Sequence, residues 1–186
     1  PERREMQDRV LELSFHDPLT GLPNRRLLND RLGLAMAQSK RSGTYGAVLF
    51  LDLDNFKPLN DLHGHDAGDQ LLIEVARRLH GCVREIDTVA RFGGDEFVVL
   101  LGALDATPDE SLALARNVAE KIATVLARPY HLNVRQHDGA ELAVGHACTS
   151  GIGATLYFDN GVRQEEILKR ADSAMYRAKN EGRNRI

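Results

Sequence analysis

Five consecutive apolar residues, Ala47-Val48-Leu49-Phe50-Leu51, run straight into Asp52-Leu53-Asp54. A strand without hydrophobic alternation has no face to offer to water, so it belongs at the centre of a sheet covered on both sides. The predicted strand, Gly46 to Leu53, therefore requires a layered fold and leaves carboxylates at the end of a buried element.

Segments able to cover such a strand are present. Leu28, Leu32, Ala35 and Met36 form one stripe on a predicted helix over Arg25 to Lys40, and Leu72, Val75, Leu79 and Cys82 mark a second that ends near Gly81. Pro108 suits the first turn of a third helix, which Leu112, Ala115, Ala119, Ile122 and Leu126 carry up to Pro129. Ile167, Leu168, Ala171, Met175 and Ala178 predict a last one. Thr88 to Phe92 and Phe97 to Leu101 read as short strands around Gly93-Gly94-Asp95-Glu96, a hairpin with an acidic tip. Tyr130 to Val134 and Leu142 to Tyr157 are β-prone on either side of a Gln136-His137-Asp138-Gly139 turn, while Asn55 to Gly68 reads as a polar connection. Strands and helices alternate, the pattern of an α/β or α+β domain with one layered sheet. Upstream, Met6, Val10 and Leu13 recur at helical spacing, so residues 1–16 read as the tail of an amphipathic signalling helix or linker. Turn formers from Asp17 to Asn24 predict a hinge there, with the globular domain over 17–186.

With 186 residues, 42% hydrophobic and 27% charged, the chain has material for one domain and its core but not for two large ones. A net charge of −3 excludes broad electrostatic adhesion to DNA or to an anionic membrane, so any phosphate must be met by local groups. Aromatics are 5% with no Trp, which argues against a base-stacking surface for a nucleic acid polymer. The longest apolar run, Phe97 to Leu104, is broken at Gly102 and too short to span a bilayer, and no signal-peptide core is expected, so no membrane contact is expected from this segment. Cys82 and Cys148 have neither a CxxC partner nor a nearby His pair; a disulfide scaffold and a zinc site are not expected, and a reducing cytoplasm fits.

Chemistry concentrates in three places. Gly93 and Gly94 let the backbone adopt positive φ and approach a bulky ligand, while Asp95 and Glu96 supply hard oxygens suited to Mg²⁺. If the hairpin lies beside Gly46 to Leu53, Asp52 and Asp95 face each other, and carboxylates meeting at one rim repel unless a divalent cation joins them. Alone, Gly-Gly-Asp is equally ordinary turn chemistry. Between Asn55 and Asp69, Lys57 is placed to meet a phosphate, and Asn60 with Asp69 to read a base edge: a carboxylate accepts from two guanine N–H groups, and an amide both donates and accepts. The same stretch also reads as a polar loop with helix caps. Lys179 and Arg183 close the last helix, where the macrodipole by itself favours cations.

Taken together, these residues resemble the GGDEF domain of the diguanylate cyclases. Gly93-Gly94-Asp95-Glu96-Phe97 is similar to the family signature, Asp17-Pro18-Leu19-Thr20-Gly21-Leu22-Pro23-Asn24-Arg25-Arg26 to its opening motif, Asp52 to Lys57 through Gly68-Asp69 to its nucleotide segment, and Ala171-Asp172-Ser173-Ala174-Met175-Tyr176 through Arg183 to its closing motif. The resemblance extends from Asp17 to Arg185 and departs at Gly151-Ile152-Gly153, where a Ser-Ile-Gly type strand is usual.

The resemblance implies a nucleotidyl-cyclase-like or polymerase-palm-like fold, a central, mostly antiparallel sheet flanked by helices. It implies Mg²⁺, with Mn²⁺ as the alternative, held by Asp52, Asp95 and the carbonyl of Leu53, with Glu96 secondary. Asp95 or Glu96 would assist deprotonation, Asn60 and Asp69 read guanine, and Lys57, Lys179 and Arg183 contact phosphates. The implied reaction condenses two GTP into cyclic di-GMP and two pyrophosphates. It requires a homodimer, because each 3′-hydroxyl must attack the α-phosphate of the other nucleotide. Arg84-Glu85-Ile86-Asp87 matches the place of an RxxD product-inhibition site, with Arg116 as a candidate third member; without the family it is solvated surface. The rivals are a catalytically silent GGDEF-like module that binds GTP or cyclic di-GMP and relays a signal, a cyclase with relaxed base choice, and a dimerisation scaffold built on Arg4 to Leu13.

Overall fold

The computed structural model describes residues 14–135, 139–159 and 161–181; the amphipathic segment from Arg4 to Leu13, residues 136–138 of the late turn and Arg183 lie outside them. Strand β1 (Gly46–Leu53) is central, as its composition requires. It pairs antiparallel with β3 (Glu96–Leu101) on one side and β6 (Ser150–Tyr157) on the other, and β2 (Thr88–Gly93) extends the β3 edge to give the order β2-β3-β1-β6.

Side chains alternate across this sheet. Ala47, Leu49, Leu51 and Leu53, with Phe97, Val99 and Leu101, enter the core shared with α3 (His65–His80) and α4 (Pro108–Leu126). Val48, Phe50, Val98 and Leu100 enter a second cluster with α1 (Arg25–Ser42) and α5 (Gln164–Asn180). Leu49, Leu51, Phe97 and Leu101 are wholly buried, each contributing about 2 kcal/mol of transfer free energy. The same alternation puts Asp52 on the α1–α5 face and Leu53 on the other. Helix α5 lies directly on β6: a Cβ at Gly153 would strike the backbone of Ala171 and Met175, and one at Gly151 the aliphatic stem of Lys179. Gly151, at the departure from the family strand motif, thus gives Lys179 its path toward the end of β1.

The structure differs from the sequence expectations in three segments. Asn55 to Gly68 is not a connection: α2 (Phe56–His63) and the start of α3 fill it, separated by Gly64 at φ 86°. Pro58 falls in the first turn of α2, where a missing N–H is harmless, and Ala67 and Gly68 are buried residues of α3. Leu142 to Tyr157 is two strands, because β5 (Glu141–His146) pairs with β4 (Tyr130–Arg135) in a separate hairpin while β6 joins the main sheet. Asp17 to Asn24 is a docked turn and not a hinge. Asp17 Oδ2 accepts from Thr20 N at 2.8 Å and Thr20 Oγ1 at 2.7 Å, Asn24 Oδ1 caps α1 by accepting from Arg26 N and Leu27 N at 3.0 and 3.1 Å, and Arg91 N donates to Pro23 O at 3.0 Å. Among the described residues no helix is long and apolar enough to cross a membrane.

Candidate active site

The β2–β3 hairpin reaches the end of β1 because β3 is the antiparallel neighbour of β1: the register pairs Asp52 with Glu96, and Leu53 N donates to Asp95 O at 3.2 Å. The chain reverses at Gly94 and Asp95, with Gly93 at φ 140° and Gly94 at φ 52°, backbone that a residue with a Cβ seldom adopts. Arg91 fastens the tip. Its Nε and Nη2 donate to Gly94 O at 3.1 and 2.8 Å, and its Nη1 donates to Asp17 Oδ1 and Oδ2 at 2.9 and 3.1 Å. Burial alone would raise the Asp17 carboxyl, but hydrogen bonds from Thr20 and Arg91 hold it below its ordinary value.

Asp95 is in the opposite condition. Burial, then the charge of Asp52 and a hydrogen bond between the two carboxyls, push Asp95 up to about 6. Glu96 is also raised, first by burial and then by Asp52 and Asp172. Lys179 answers part of this charge, with Nζ 2.8 Å from Asp52 Oδ2 and 3.4 Å from Asp54 Oδ1. Burial works against the Lys179 ammonium, but Asp52 and Asp54 more than offset it and raise its pKa. Asp54 is buried and its Oδ2 accepts from Thr149 Oγ1 at 2.7 Å.

Asp52 Oδ1 remains buried without a hydrogen-bond partner. An orphaned carboxylate oxygen beside a second carboxyl whose pKa is already raised is a donor set that a hard divalent cation completes, so Asp52 and Asp95 could hold Mg²⁺ or Mn²⁺. Among the described residues no group of three or more His, Cys, Asp or Glu side chains has the arrangement of a metal site. The protein's share is then two carboxylates and a backbone carbonyl, a number that suits Mg²⁺ because that ion keeps water and phosphate oxygens. Glu96 lines a separate cleft between α1 and α5.

The remaining sequence candidates fall into two groups. Lys57 is exposed in the first turn of α2, which begins directly after Asp52-Leu53-Asp54-Asn55. Asn60 Oδ1 is buried without a partner, and so close to Gly68 that a Cβ there would collide with it. Asp69 is the next residue and is exposed, so Asn60 and Asp69 flank the contact between α2 and α3. Sequence reasoning missed the start of α2 as a source of unpaired N–H groups near the carboxylates; Phe56 and Leu59 at helical spacing with Pro58 in a first turn are its only local signal. Arg84 and Asp87 form a closed staple elsewhere: Arg84 Nε and Nη2 donate to Asp87 at 3.1 Å each, Arg84 Nη2 to Gly102 O at 2.7 Å, and Gly102 N to Asp87 Oδ1 at 3.3 Å. Arg116 is exposed on α4, and among the described residues no ion pair joins it to either.

The profile of a family described as "Diguanylate cyclase, GGDEF domain" matches residues 14–185. The chain is 45% identical over 175 residues to the bifunctional diguanylate cyclase/cyclic di-GMP phosphodiesterase MucR of Pseudomonas aeruginosa, spanning 94% of this chain and 23% of that one. It is 38% identical over 185 residues to the response regulator PleD of Caulobacter vibrioides, spanning 98% and 38%. The chain thus covers well under half the length of these relatives. Among solved structures it superimposes on the coiled coil and GGDEF domain of DgcB from Caulobacter crescentus in complex with c-di-GMP, with a TM-score of 0.81 at 29% identity over 99% of this chain and 90% of that one. It also superimposes on the diguanylate cyclase SiaD of P. aeruginosa in complex with its activator SiaC, with a TM-score of 0.76 at 36% identity over 98% and 65%.

Proposed function

The chain belongs to the diguanylate cyclase, GGDEF domain family, and on that premise we propose that it condenses two GTP into cyclic di-GMP and two pyrophosphates, with one GTP bound by each protomer of a homodimer. The Asp52–Asp95 carboxyl pair at the end of β1, answered by Lys179, carries this assignment. Asp52, Asp95 and the Leu53 carbonyl would hold Mg²⁺ or Mn²⁺, which when bound supplies positive charge for the attacking 3′-hydroxyl, the α-phosphate and the leaving pyrophosphate.

This chain's own groups bind and orient the nucleotide. Asp69 accepts from guanine N–H groups, and Asn60, whose buried Oδ1 has no donor in the protein, pairs with the same base. Lys57 and the first N–H groups of α2 meet the phosphate tail, since a helix start offers unpaired donors and favours negative charge. Lys179 and Arg183 neutralise the same tail from the end of α5. The Asp95 carboxylate, ionised above about pH 6, accepts the proton of the 3′-hydroxyl, with Glu96 as the alternative acceptor. A two-fold axis then presents each 3′-hydroxyl to the other α-phosphate. Cyclic di-GMP acts back through Arg84 and Asp87, with Arg116, the half-exposed Arg84 guanidinium reading guanine or phosphate. The buried thiols Cys82 and Cys148 suit a reducing cytoplasm.

Incubation with GTP and Mg²⁺ across a range of protein concentrations tests the proposal. The expected result is two pyrophosphates per cyclic di-GMP, with specific activity that climbs as dimers form. GTP binding without turnover at every concentration would assign the signal-relaying module instead, and equal use of ATP would remove the guanine role of Asp69.

A further inference from the structure

Three motif segments contribute residues that the nucleotide pocket leaves unused, and those residues meet at one place. Arg25 from the opening motif, Glu96 from the signature and Asp172 from the closing motif line a cleft of about 430 Å³ between the start of α1 and the middle of α5, with Phe50 and Phe92 as its apolar wall. The Arg25 guanidinium carbon lies 5.3 Å from the centre of the Phe92 ring. Glu96 interacts with Asp172 and Arg25 and equally with Asp52 and Lys179, so the cleft opens beside the carboxylates proposed to hold the metal. The alternation of β1 and β3 agrees: Phe50, Asp52 and Glu96 share the α1–α5 face, whereas Asn60 and Asp69 belong to α2 and α3.

The lining restricts what can enter. A volume near 430 Å³ falls within the range of small-molecule sites, about 300–1,000 Å³. Arg25 and Lys169 face Glu96, Glu165 and Asp172, two positive groups against three negative ones, which repels a triphosphate but not a nucleoside. An aromatic wall with donors and acceptors at its rim suits a ribose and the flat side of a base.

We propose that this cleft receives the guanosine portion of the nucleotide carried by the second protomer, delivering its 3′-hydroxyl to the Asp52–Asp95 pair of the first. The inference rests on the cyclase reading. In the step it serves, a bond forms from the 3′-oxygen to the α-phosphorus, the bond from that phosphorus to pyrophosphate breaks, and the hydroxyl proton passes to Asp95. The metal and the acceptor cleft that make one bond then belong to the same protomer.

Arg25→Ala and Asp172→Asn in the full chain test it. Both should bind Mg²⁺ and a non-hydrolysable GTP analogue at one per protomer with wild-type affinity, dimerise normally, and lose at least about tenfold in turnover at saturating GTP, a loss of ~1.4 kcal/mol in transition-state stabilisation. In mixed dimers, a wild-type protomer beside an Asp95→Asn partner should form one of the two bonds and release the linear dinucleotide. Arg25→Ala on the protomer with intact Asp95 should abolish that product, and on the Asp95→Asn protomer it should not. Normal turnover in both variants, weakened binding of the protomer's own nucleotide, or the reverse pattern in mixed dimers overturns the cleft assignment and leaves the cyclase reading standing. A wild-type protein that makes no product overturns the cyclase reading itself.

Discussion

Asp17 and Asp95 sit at the two ends of one connection: Arg91 pairs with Asp17 and also holds the carbonyl of Gly94, the residue before Asp95. Asp17 is satisfied by Thr20 and Arg91 and lies below its ordinary value, whereas Asp95 is half-buried against a second carboxyl and rises to about 6. One hairpin is therefore anchored by compensated charge at its base and left with uncompensated charge at its tip. Paired charge at modest burial is compatible with stability; two carboxyls pressed together are a standing cost to the fold, and such costs collect where charge is needed for chemistry.

Neutralising each acid in turn should separate the two ends. Asp95→Asn should lower cyclic di-GMP formation by about 10²–10³-fold, the loss typical of an electrostatic group at the reacting atoms. The same change should raise the melting temperature of the metal-free protein, since it removes repulsion from Asp52. A fall in both activity and Tm would assign Asp95 to the framework. Asp17→Asn should do the reverse. It strips Arg91 of its ion-pair partner where the two side chains are only 12% and 15% exposed, at about 2–3 kcal/mol in urea unfolding, and leaves turnover per folded molecule largely intact. A parallel collapse of turnover would make the anchor part of the site. Arg84→Ala falls between them, because Asp87 keeps donors from Arg84 N at 2.9 Å and Gly102 N at 3.3 Å. Its expected cost is about 1 kcal/mol of stability together with roughly tenfold weaker product inhibition, as loss of one bidentate contact implies. Inhibition that persists unchanged would leave Arg84 and Asp87 as a staple and nothing more.

The tip is more legible in the sequence than the base, and the reason is physical. An unbroken apolar strand has to be central, a Gly-rich hairpin has to reverse tightly, and adjacency of β1 and β3 then brings Asp52 to Asp95 with no further information. Turn formers at Asp17 to Asn24 announce a turn but not its docking, which depends on Arg91, 74 positions away. Lys179 shows a similar limit: cation character near a helix end suggests phosphate, but its approach to Asp52 and Asp54 follows from α5 crossing β6 at Gly151, a packing event with no local signal. Helix α2 is hidden by its length, for eight residues with Leu59 as the one buried position carry too little periodicity to outweigh Pro58 and the polar neighbours.

The weakest expected effect is a pH dependence whose sign again divides the acids. Asp95 titrates at about 6 in the folded protein against 3.8 when unperturbed, so between those values the native state binds the proton more tightly. The stabilisation linked to that proton is complete below about pH 4 and is lost as pH rises through 6. Glu74, held down to about 2 first by its Arg77 hydrogen bond, contributes in the opposite sense: its stabilisation is present above about 4.5 and disappears as pH falls toward 2. Urea unfolding of the metal-free protein between pH 4 and 8 should therefore show a falling limb of about 1 kcal/mol, reduced from the nominal shift because solvent screens a partly exposed carboxyl. Asp95→Asn should flatten that limb and Asp17→Asn should not, since the Asp17 carboxyl is held low and is already ionised across the range. A limb that survives Asp95→Asn would place the raised carboxyl elsewhere, and the contrast between tip and base would lose its electrostatic ground.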